Sequence, residues 1–149
     1  MIVAILLVVG LVLVDQFTKK YARKKLLFRQ CKKGPLTFKL VYNKGAFRGL
    51  LKKRPVILIL IQVTAVVFLG VLWVIYGFFK KERSITLALS MILGGAIGNL
   101  IDRISEGQVT DFFAITWTKK LFYNMADWFI FIGGFWLVIL EIKAYVTKS

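Results

Sequence analysis

The sequence predicts an all-α integral membrane protein, with four transmembrane helices and a small β element in the first loop. Of its 149 residues 58% are hydrophobic, and the mean hydropathy of +0.74 is far above that of soluble domains. Several apolar stretches approach or exceed the roughly 20 residues that a helix needs to cross a ~30 Å hydrocarbon layer. Because these stretches do not alternate apolar and polar residues, the pattern argues against a transmembrane barrel.

The charge and the rare residue types restrict the possible functions. The net charge is +15, yet no basic cluster is interleaved with stacking aromatic residues in a soluble domain. We therefore interpret the charge as contact with anionic phospholipids of the membrane, and we expect no nucleic-acid partner. The chain has one cysteine, Cys31, and no histidine, which removes disulfide frameworks and most zinc and copper sites. No metal and no cofactor are expected.

The first helix is predicted at about residues 2–27. Thirteen apolar residues, Ile2 to Val14, are too few for a full crossing, so the helix must continue through Asp15. The run is not read as a secretory signal, because no basic region precedes it and no small-residue cleavage site follows it. Asp15 and Lys19 are one helical turn apart and are predicted to pair.

A strongly basic segment follows, with fourteen Lys or Arg residues between positions 19 and 54. Gly34-Pro35 is a turn signal, and residues 36–42 alternate in the manner of a strand. We expect a small amphipathic β element at about residues 34–54, lying on the membrane surface. It ends in residues 43–49, whose two glycines allow close backbone turns.

The other three helices are predicted at about 56–79, 85–103 and 124–145. Pro55 opens the second, which is apolar throughout and is expected to serve as scaffold and lipid contact. The third carries Gly94, Gly95 and Gly98, whose small-xxx-small spacing allows a neighbouring backbone to approach closely.

Residues 104–120 are predicted to form a polar loop with a short apolar piece, Val109 to Trp117. No internal repeat or linker divides the chain, so residues 1–149 are predicted to form a single domain.

The aspartates are the candidates for chemistry. Three of the four, Asp102, Asp111 and Asp127, lie within residues 94–127 at the rims of hydrophobic segments, where an ionisable group is a functional candidate by default. An antiparallel helix pair would bring Asp111 and Asp127 to the same membrane face. Two carboxylates in a poorly solvated site share a proton, as in aspartic proteases. Without histidine, such a dyad is the simplest hydrolytic option.

Structural interpretations of the same residues stay open at this point. Asp102 could pair with Arg103, and Asp127 could stabilise a helix N-terminus. Three asparagines, Asn43, Asn99 and Asn124, could be turn or cap residues, or they could hold substrate and orient the carboxylates.

Two other function classes also stay open. A small proton-coupled transporter would need a polar path between both membrane faces, whereas the acidic residues gather toward one side. A non-catalytic lipid-binding scaffold would explain the basic loop but not the aspartates.

Five segments in order resemble lipoprotein signal peptidase, the signal peptidase II family of aspartic membrane proteases. They are Asp15-Gln16-Phe17-Thr18-Lys19, Asn43-Lys44-Gly45-Ala46-Phe47, Gly95-Ala96-Ile97-Gly98-Asn99-Leu100-Ile101-Asp102-Arg103, Gly107-Gln108-Val109-Thr110-Asp111-Phe112 and Asn124-Met125-Ala126-Asp127. Any one of them is weak evidence. Their order, together with four crossings and this chain length, makes the resemblance specific.

The resemblance implies an endopeptidase that removes the signal peptide from diacylglyceryl-modified prolipoproteins, cutting on the amino side of the lipid-modified cysteine. Asp111 and Asp127 match the catalytic dyad of the family. The positions that match site-shaping or substrate-holding residues are Asp15 with Lys19, Asn43, Gly45, Asn99, Arg103 and Asn124, while Asp102 is expected to support the structure beside Arg103. The first-loop strand matches a surface β-cradle that helps to clamp the substrate. A monomer is expected.

Charge and family disagree about orientation. The first and third loops hold 17 of the 22 Lys and Arg residues, so the positive-inside rule would place them in the cytoplasm. The family resemblance implies the reverse, with both termini cytoplasmic and the site at the outer face of the bacterial cytoplasmic membrane. We expect the family orientation, with the basic cradle attracted to anionic outer-leaflet lipids.

Overall fold

The computed structural model describes residues 1–46, 50–115 and 121–148. Within these ranges four helices are long and apolar enough to cross a membrane. The elements are α1 (Ile2–Leu26), β1 (Gln30–Lys33), β2 (Leu36–Asn43), α2 (Pro55–Val74), α3 (Arg83–Glu106), β3 (Val109–Ile115) and α4 (Met125–Lys148). Four membrane helices and a small antiparallel sheet confirm the predicted fold class.

The helix boundaries follow local signals in the sequence. Helix α1 continues without a break past Asp15, as its length required. Pro55 is the first residue of α2, and a π-helical turn, Ile75–Phe79, extends this apolar helix to the predicted end. Helix α3 runs three residues beyond the predicted end and stops before Gly107, whose φ of 69° is the left-handed conformation that terminates many helices.

Helix α3 lies at the centre of the bundle. Half of its most apolar window is buried, against 17% for α1, 6% for α2 and 11% for α4. The large apolar side chains of the other three helices are mostly exposed, which suits contact with lipid. The polar residues of α3 are therefore shielded by its neighbours.

Small residues let the other helices approach α3, as predicted. Gly94 faces Leu11 of α1, and Gly98 faces the carboxylate of Asp15. Gly95 lies against the carbonyl oxygen of Ala126 in the first turn of α4. A side chain at any of these positions would push α1 or α4 away from the residues that α3 presents.

The sheet differs from the predicted surface element at residues 34–54. The predicted strand is confirmed as β2, and Gly34-Pro35 forms the turn that joins it to β1. Strand β1 was missed because its residues, Gln30–Lys33, are exposed and show no alternation. Strand β3 comes from residues predicted to form a loop, since its pairing with β2 is formed by segments far apart in sequence.

The register of the sheet places Asn43 close to Asp111. Asp111 of β3 lies opposite Val41 of β2, and Asn43 lies opposite Val109. Since side chains two residues apart share a face of a strand, Asn43 becomes a diagonal neighbour of Asp111. Two predicted segments fall partly outside the described residues: positions 47–49 of the first-loop motif, and positions 116 and 117 of the apolar piece.

Adjacent glycines in α4 provide a test of close helix packing. A methyl group at Gly133 would lie 2.7 Å from the carbonyl oxygen of Ala88 in α3, whereas nothing lies within 4 Å of one at Gly134. We expect Gly133→Ala to destabilise the protein by about 1–3 kcal/mol, the usual effect of overpacking. Gly134→Ala should be neutral or slightly stabilising, because it only reduces backbone freedom. Thermal unfolding in detergent micelles measures both, and equal melting temperatures would contradict the packing described here.

Candidate active site

The structure brings the two predicted catalytic aspartates to one cavity. Asp111 lies in β3 and is 3% exposed, while Asp127 lies in the first turn of α4 and is half-buried. Both line a cavity of about 250 Å³, which Asn43, Asn99 and Arg103 also border. A carboxyl group on a strand and one on a helix therefore line the same cavity.

Asn124 connects the two aspartates. Its side-chain Nδ2 donates to Oδ1 of Asp111 at 2.7 Å. Its Oδ1 accepts from the backbone N–H of Asp127 at 3.0 Å, and Oδ2 of Asp127 accepts in return from the backbone N–H of Asn124 at 3.2 Å. This reciprocal pair is a capping box at the start of α4. Asn124 is therefore a cap residue that also contacts Asp111, and its role in a site stays a prediction.

Asn99 of α3 orients the other side of Asp127. Its Nδ2 donates to Oδ1 of Asp127 at 2.9 Å. Its Oδ1 accepts from Nζ of Lys19 at 3.0 Å and from Nδ2 of Asn124 at 3.1 Å. Because an ammonium group only donates, Lys19 fixes the Asn99 amide with its oxygen inward. The amide nitrogen is then left to face Asp127.

Lys19 is completely buried and forms ion pairs with two carboxylates. Its Nζ lies 2.7 Å from Oδ2 of Asp15 and 3.4 Å from Oδ2 of Asp102. The pair of Asp15 with Lys19 confirms the prediction made from their spacing. Oδ1 of Asp15 also accepts from the backbone N–H of Ala126 at 2.9 Å, so α1 caps the N-terminus of α4. A charge network on α1 thus positions the helix that carries Asp127.

Asp102 has a structural position, but its partners differ from the prediction. Beside its ion pair with Lys19, its Oδ2 accepts from the backbone N–H of Thr110 at 2.9 Å and its Oδ1 accepts from Nε2 of Gln16 at 3.2 Å. The ion pair with Arg103 that was left open above is not formed in the described part of the chain, because adjacent residues of a helix point in different directions. Asp102 faces α1 and β3, whereas Arg103 faces α2 and the loop after β2.

Arg103 and Asn43 join the loop after β2 to the site. Nη2 of Arg103 donates to the carbonyl oxygen of Gly45 at 2.9 Å. Oδ1 of Asn43 accepts from the backbone N–H of Gly45 at 3.0 Å, while its Nδ2 donates to Oδ2 of Asp111 at 3.3 Å. The guanidinium charge of Arg103 interacts with both Asp111 and Asp127. The loop, the dyad and α3 are therefore linked by side chains.

The environment of Asp111 suits proton transfer near neutral pH. Burial, and then the negative charge of Asp127, raise the pKa of Asp111 to about 7, while hydrogen bonds from Asn43 and Asn124 and the charge of Lys19 act in the opposite direction. Since two such carboxyl groups titrate as a pair, the dyad can donate and accept a proton at neutral pH. No three Asp, Glu or Cys side chains in residues 1–46, 50–115 and 121–148 are grouped so as to bind a metal ion.

Several contributing residues were missed by sequence reasoning. Gln16 donates to the carbonyl oxygen of Gly98 at 3.0 Å, and Nη1 of Arg23 donates to the hydroxyl oxygen of buried Thr110 at 2.8 Å. Oε1 of Gln62 accepts from Nη1 of Arg103 at 3.1 Å. Only Gln62 carried a clear signal, since it is an amide within an otherwise apolar predicted helix.

Comparison with known proteins agrees with the geometry. The family model described as Signal peptidase (SPase) II matches residues 7–143. The lipoprotein signal peptidase of Caldanaerobacter subterraneus subsp. tengcongensis is 40% identical over 146 residues, covering 93% of this chain and 95% of that protein. The lipoprotein signal peptidase of Streptococcus pneumoniae is 30% identical over 150 residues, covering 99% and 95%.

A solved structure described as a bacterial membrane enzyme structure by the in meso method at 2.3 Å resolution superposes with a TM-score of 0.84 and 26% identity, covering 100% of this chain and 93% of that chain. A second, described in the same words at 1.9 Å resolution, has a TM-score of 0.82 and 25% identity, covering 96% and 94%. Because the family model spans most of the chain and the relatives align over nearly their whole length, the chain belongs to the signal peptidase II family.

Proposed function

We propose that the chain removes the signal peptide from diacylglyceryl-modified prolipoproteins by aspartic hydrolysis, cutting on the amino side of the lipid-modified cysteine. Membership of the signal peptidase II family supports signal-peptide cleavage of prolipoproteins. The aspartic mechanism is supported by one observation above all. Asn124 donates to both carboxyl groups, from its side chain to Asp111 and from its backbone N–H to Asp127, and both aspartates line one cavity.

Asp111 and Asp127 share the acid and base steps in this proposal. The ionised member of the pair takes a proton from a water molecule, and the water oxygen attacks the scissile carbonyl carbon. The protonated member donates its proton to the carbonyl oxygen as the water attacks. When the C–N bond breaks, the member that took the proton from water donates it to the leaving amine, and the other member takes back a proton from the gem-diol. The pKa of about 7 for Asp111 supports its exchange of a proton at neutral pH. Each carboxyl group accepts hydrogen bonds from asparagine amides, which hold it in place between steps.

The substrate is proposed to approach from the bilayer and the sheet together. Its acyl chains would lie between helices at the bilayer edge, next to the exposed apolar faces of the bundle. The extended signal-peptide segment would cross the dyad beside Gly45, whose carbonyl oxygen accepts from Arg103. This arrangement would place a peptide bond at the cavity while the lipid stays in the membrane.

The orientation is proposed from function rather than from charge. A dyad that cleaves translocated signal peptides must face outward, with both termini in the cytoplasm. The sheet and the dyad lie at the same end of the bundle, because Asp111 is itself part of β3. The basic residues of the first loop would then contact anionic phospholipids of the outer leaflet.

The aspartate variants test the mechanism. Asp111→Asn and Asp127→Asn keep the size of the side chain but remove its ability to transfer a proton. We expect each to lower the cleavage rate of a lipidated prolipoprotein by about 10²–10⁴-fold or more. Purified variants in detergent would be incubated with the substrate and the products resolved on gels. Glu141→Gln is the matched control, since Glu141 is an exposed carboxylate far along α4 and should leave activity unchanged. Full activity in either aspartate variant would refute the mechanism.

The rate of cleavage should depend on pH through Asp111. Because its pKa is raised to about 7, the proton that the dyad needs is lost as the pH rises through that value, and kcat should fall on the alkaline side. Asn43→Ala removes a hydrogen bond that favours the ionised form of Asp111, so its alkaline limb should move to higher pH. Initial rates between pH 5 and 9 measure both. A flat profile in the unmodified protein would contradict the assignment.

Cys31 reports the orientation directly. It is exposed in β1 and is the only cysteine of the chain. We expect a membrane-impermeant maleimide to label it in intact spheroplasts. Inverted membrane vesicles should be labelled only after detergent is added. The opposite pattern would place the site in the cytoplasm.

A further inference from the structure

Gln62 is a polar residue in a helix that is otherwise mostly apolar and exposed. It lies in α2, where 6% of the most apolar window is buried, and its neighbours in sequence are aliphatic. Its side chain nevertheless lines the cavity of Asp111 and Asp127, and its Oε1 accepts from Nη1 of Arg103 at 3.1 Å. A polar side chain within a membrane span is energetically unfavourable, so its presence indicates a functional role.

Two hydrogen bonds hold the guanidinium group of Arg103, one to Gln62 and one to Gly45. Gln62 binds Nη1, and the carbonyl oxygen of Gly45 binds Nη2 at 2.9 Å. Arginine only donates, so the amide of Gln62 must present its oxygen here. Because a guanidinium group is planar and rigid, fixing its two terminal nitrogens fixes the direction in which its charge acts. That charge interacts with both members of the dyad.

Docking of α2 on α3 does not depend on this contact alone. Leu58 is buried, and Nε1 of Trp73 donates to the hydroxyl oxygen of Ser90 at 2.7 Å. Trp73 is eleven residues from Gln62, which is about 16 Å along a helix. Packing of α2 against α3 at these two places does not require an amide at position 62. The amide is therefore better explained by what it does to Arg103.

We propose that Gln62 is a positioning residue for the proteolytic reaction: it holds Arg103 so that the guanidinium charge faces the carbonyl oxygen on which negative charge develops. The inference rests on the proposed aspartic peptidase function. A charge held in this way acts more strongly on the transition state than on the bound substrate. Its removal should therefore lower kcat and leave KM nearly unchanged.

Gln62→Met tests the proposal, because methionine has a similar length and shape but accepts no strong hydrogen bond. We expect kcat to fall about tenfold, the scale of one lost hydrogen bond to a charged group, with KM within about twofold of its original value. Thr64→Val is the matched control on the same helix. Thr64 is exposed and its hydroxyl donates to the carbonyl oxygen of Leu60, so both constants should stay unchanged. Rates are normalised to folded protein, and melting temperatures of both variants should match that of the unmodified chain.

A double-mutant cycle tests whether Gln62 acts through Arg103. Arg103→Lys keeps a charge but removes the planar fork, so Gln62→Met should then lower kcat by less than about twofold. A tenfold loss in that background would overturn the proposal. So would an unchanged kcat in the single variant, or a raised KM with kcat unchanged, which would indicate direct substrate binding. If the unmodified protein leaves the prolipoprotein uncut, the proposed function fails and this inference fails with it.

Discussion

The buried ammonium group of Lys19 is the charge around which the site is arranged. A cation without solvent must be compensated, and Lys19 is compensated by Asp15 on its own helix and Asp102 on α3. Each of these carboxylates makes a second contact, Asp15 with the start of α4 and Asp102 with the start of β3. Three helices and one strand therefore converge on one ion cluster. Breaking it by removal of one partner would leave an uncompensated charge among packed helices.

The same ammonium group sets the hydrogen-bond directions in the dyad. It turns the oxygen of Asn99 inward, and this leaves the amide nitrogen to bind Asp127. Asn124 then extends the chain of contacts to Asp111. Because every bond in this series has an unambiguous donor, the two carboxyl groups are held by a network rather than by single contacts. Such support from surrounding residues would keep the geometry of the two carboxyl groups in the proposed proton transfer.

Close helix packing is the condition for this network. Asp15 reaches α4 because Gly98 and Gly95 leave room between the helices, and larger side chains there would separate the charged groups. In lipid there is little hydrophobic force to drive helices together, so small residues and polar contacts carry more of the association. Polar side chains such as Lys19 therefore hold the helices together and also orient the side chains of the candidate site.

The membrane class, the number of spans and most of their ends could be read from the sequence. The length of each apolar stretch, Pro55 and Gly107 are local signals. Because the bilayer has a nearly constant thickness, the length of a crossing helix can be predicted. The five short motifs also predicted the residues of the candidate site and identified the family. Asp15 and Lys19 could be paired because a helix brings residues four apart together.

Only the tertiary structure decided which residues far apart in sequence are partners. Asp102 binds Lys19 instead of its neighbour Arg103, β3 pairs with β2 across much of the chain, and Gln62 reaches Arg103 from a helix expected to be scaffold. These contacts join segments far apart in sequence, and no local pattern encodes them. The sequence by itself determined which groups enter the membrane, because burial depends on composition and length. Their partners were decided by three-dimensional packing, because a buried polar group binds whichever complementary group the fold brings within reach.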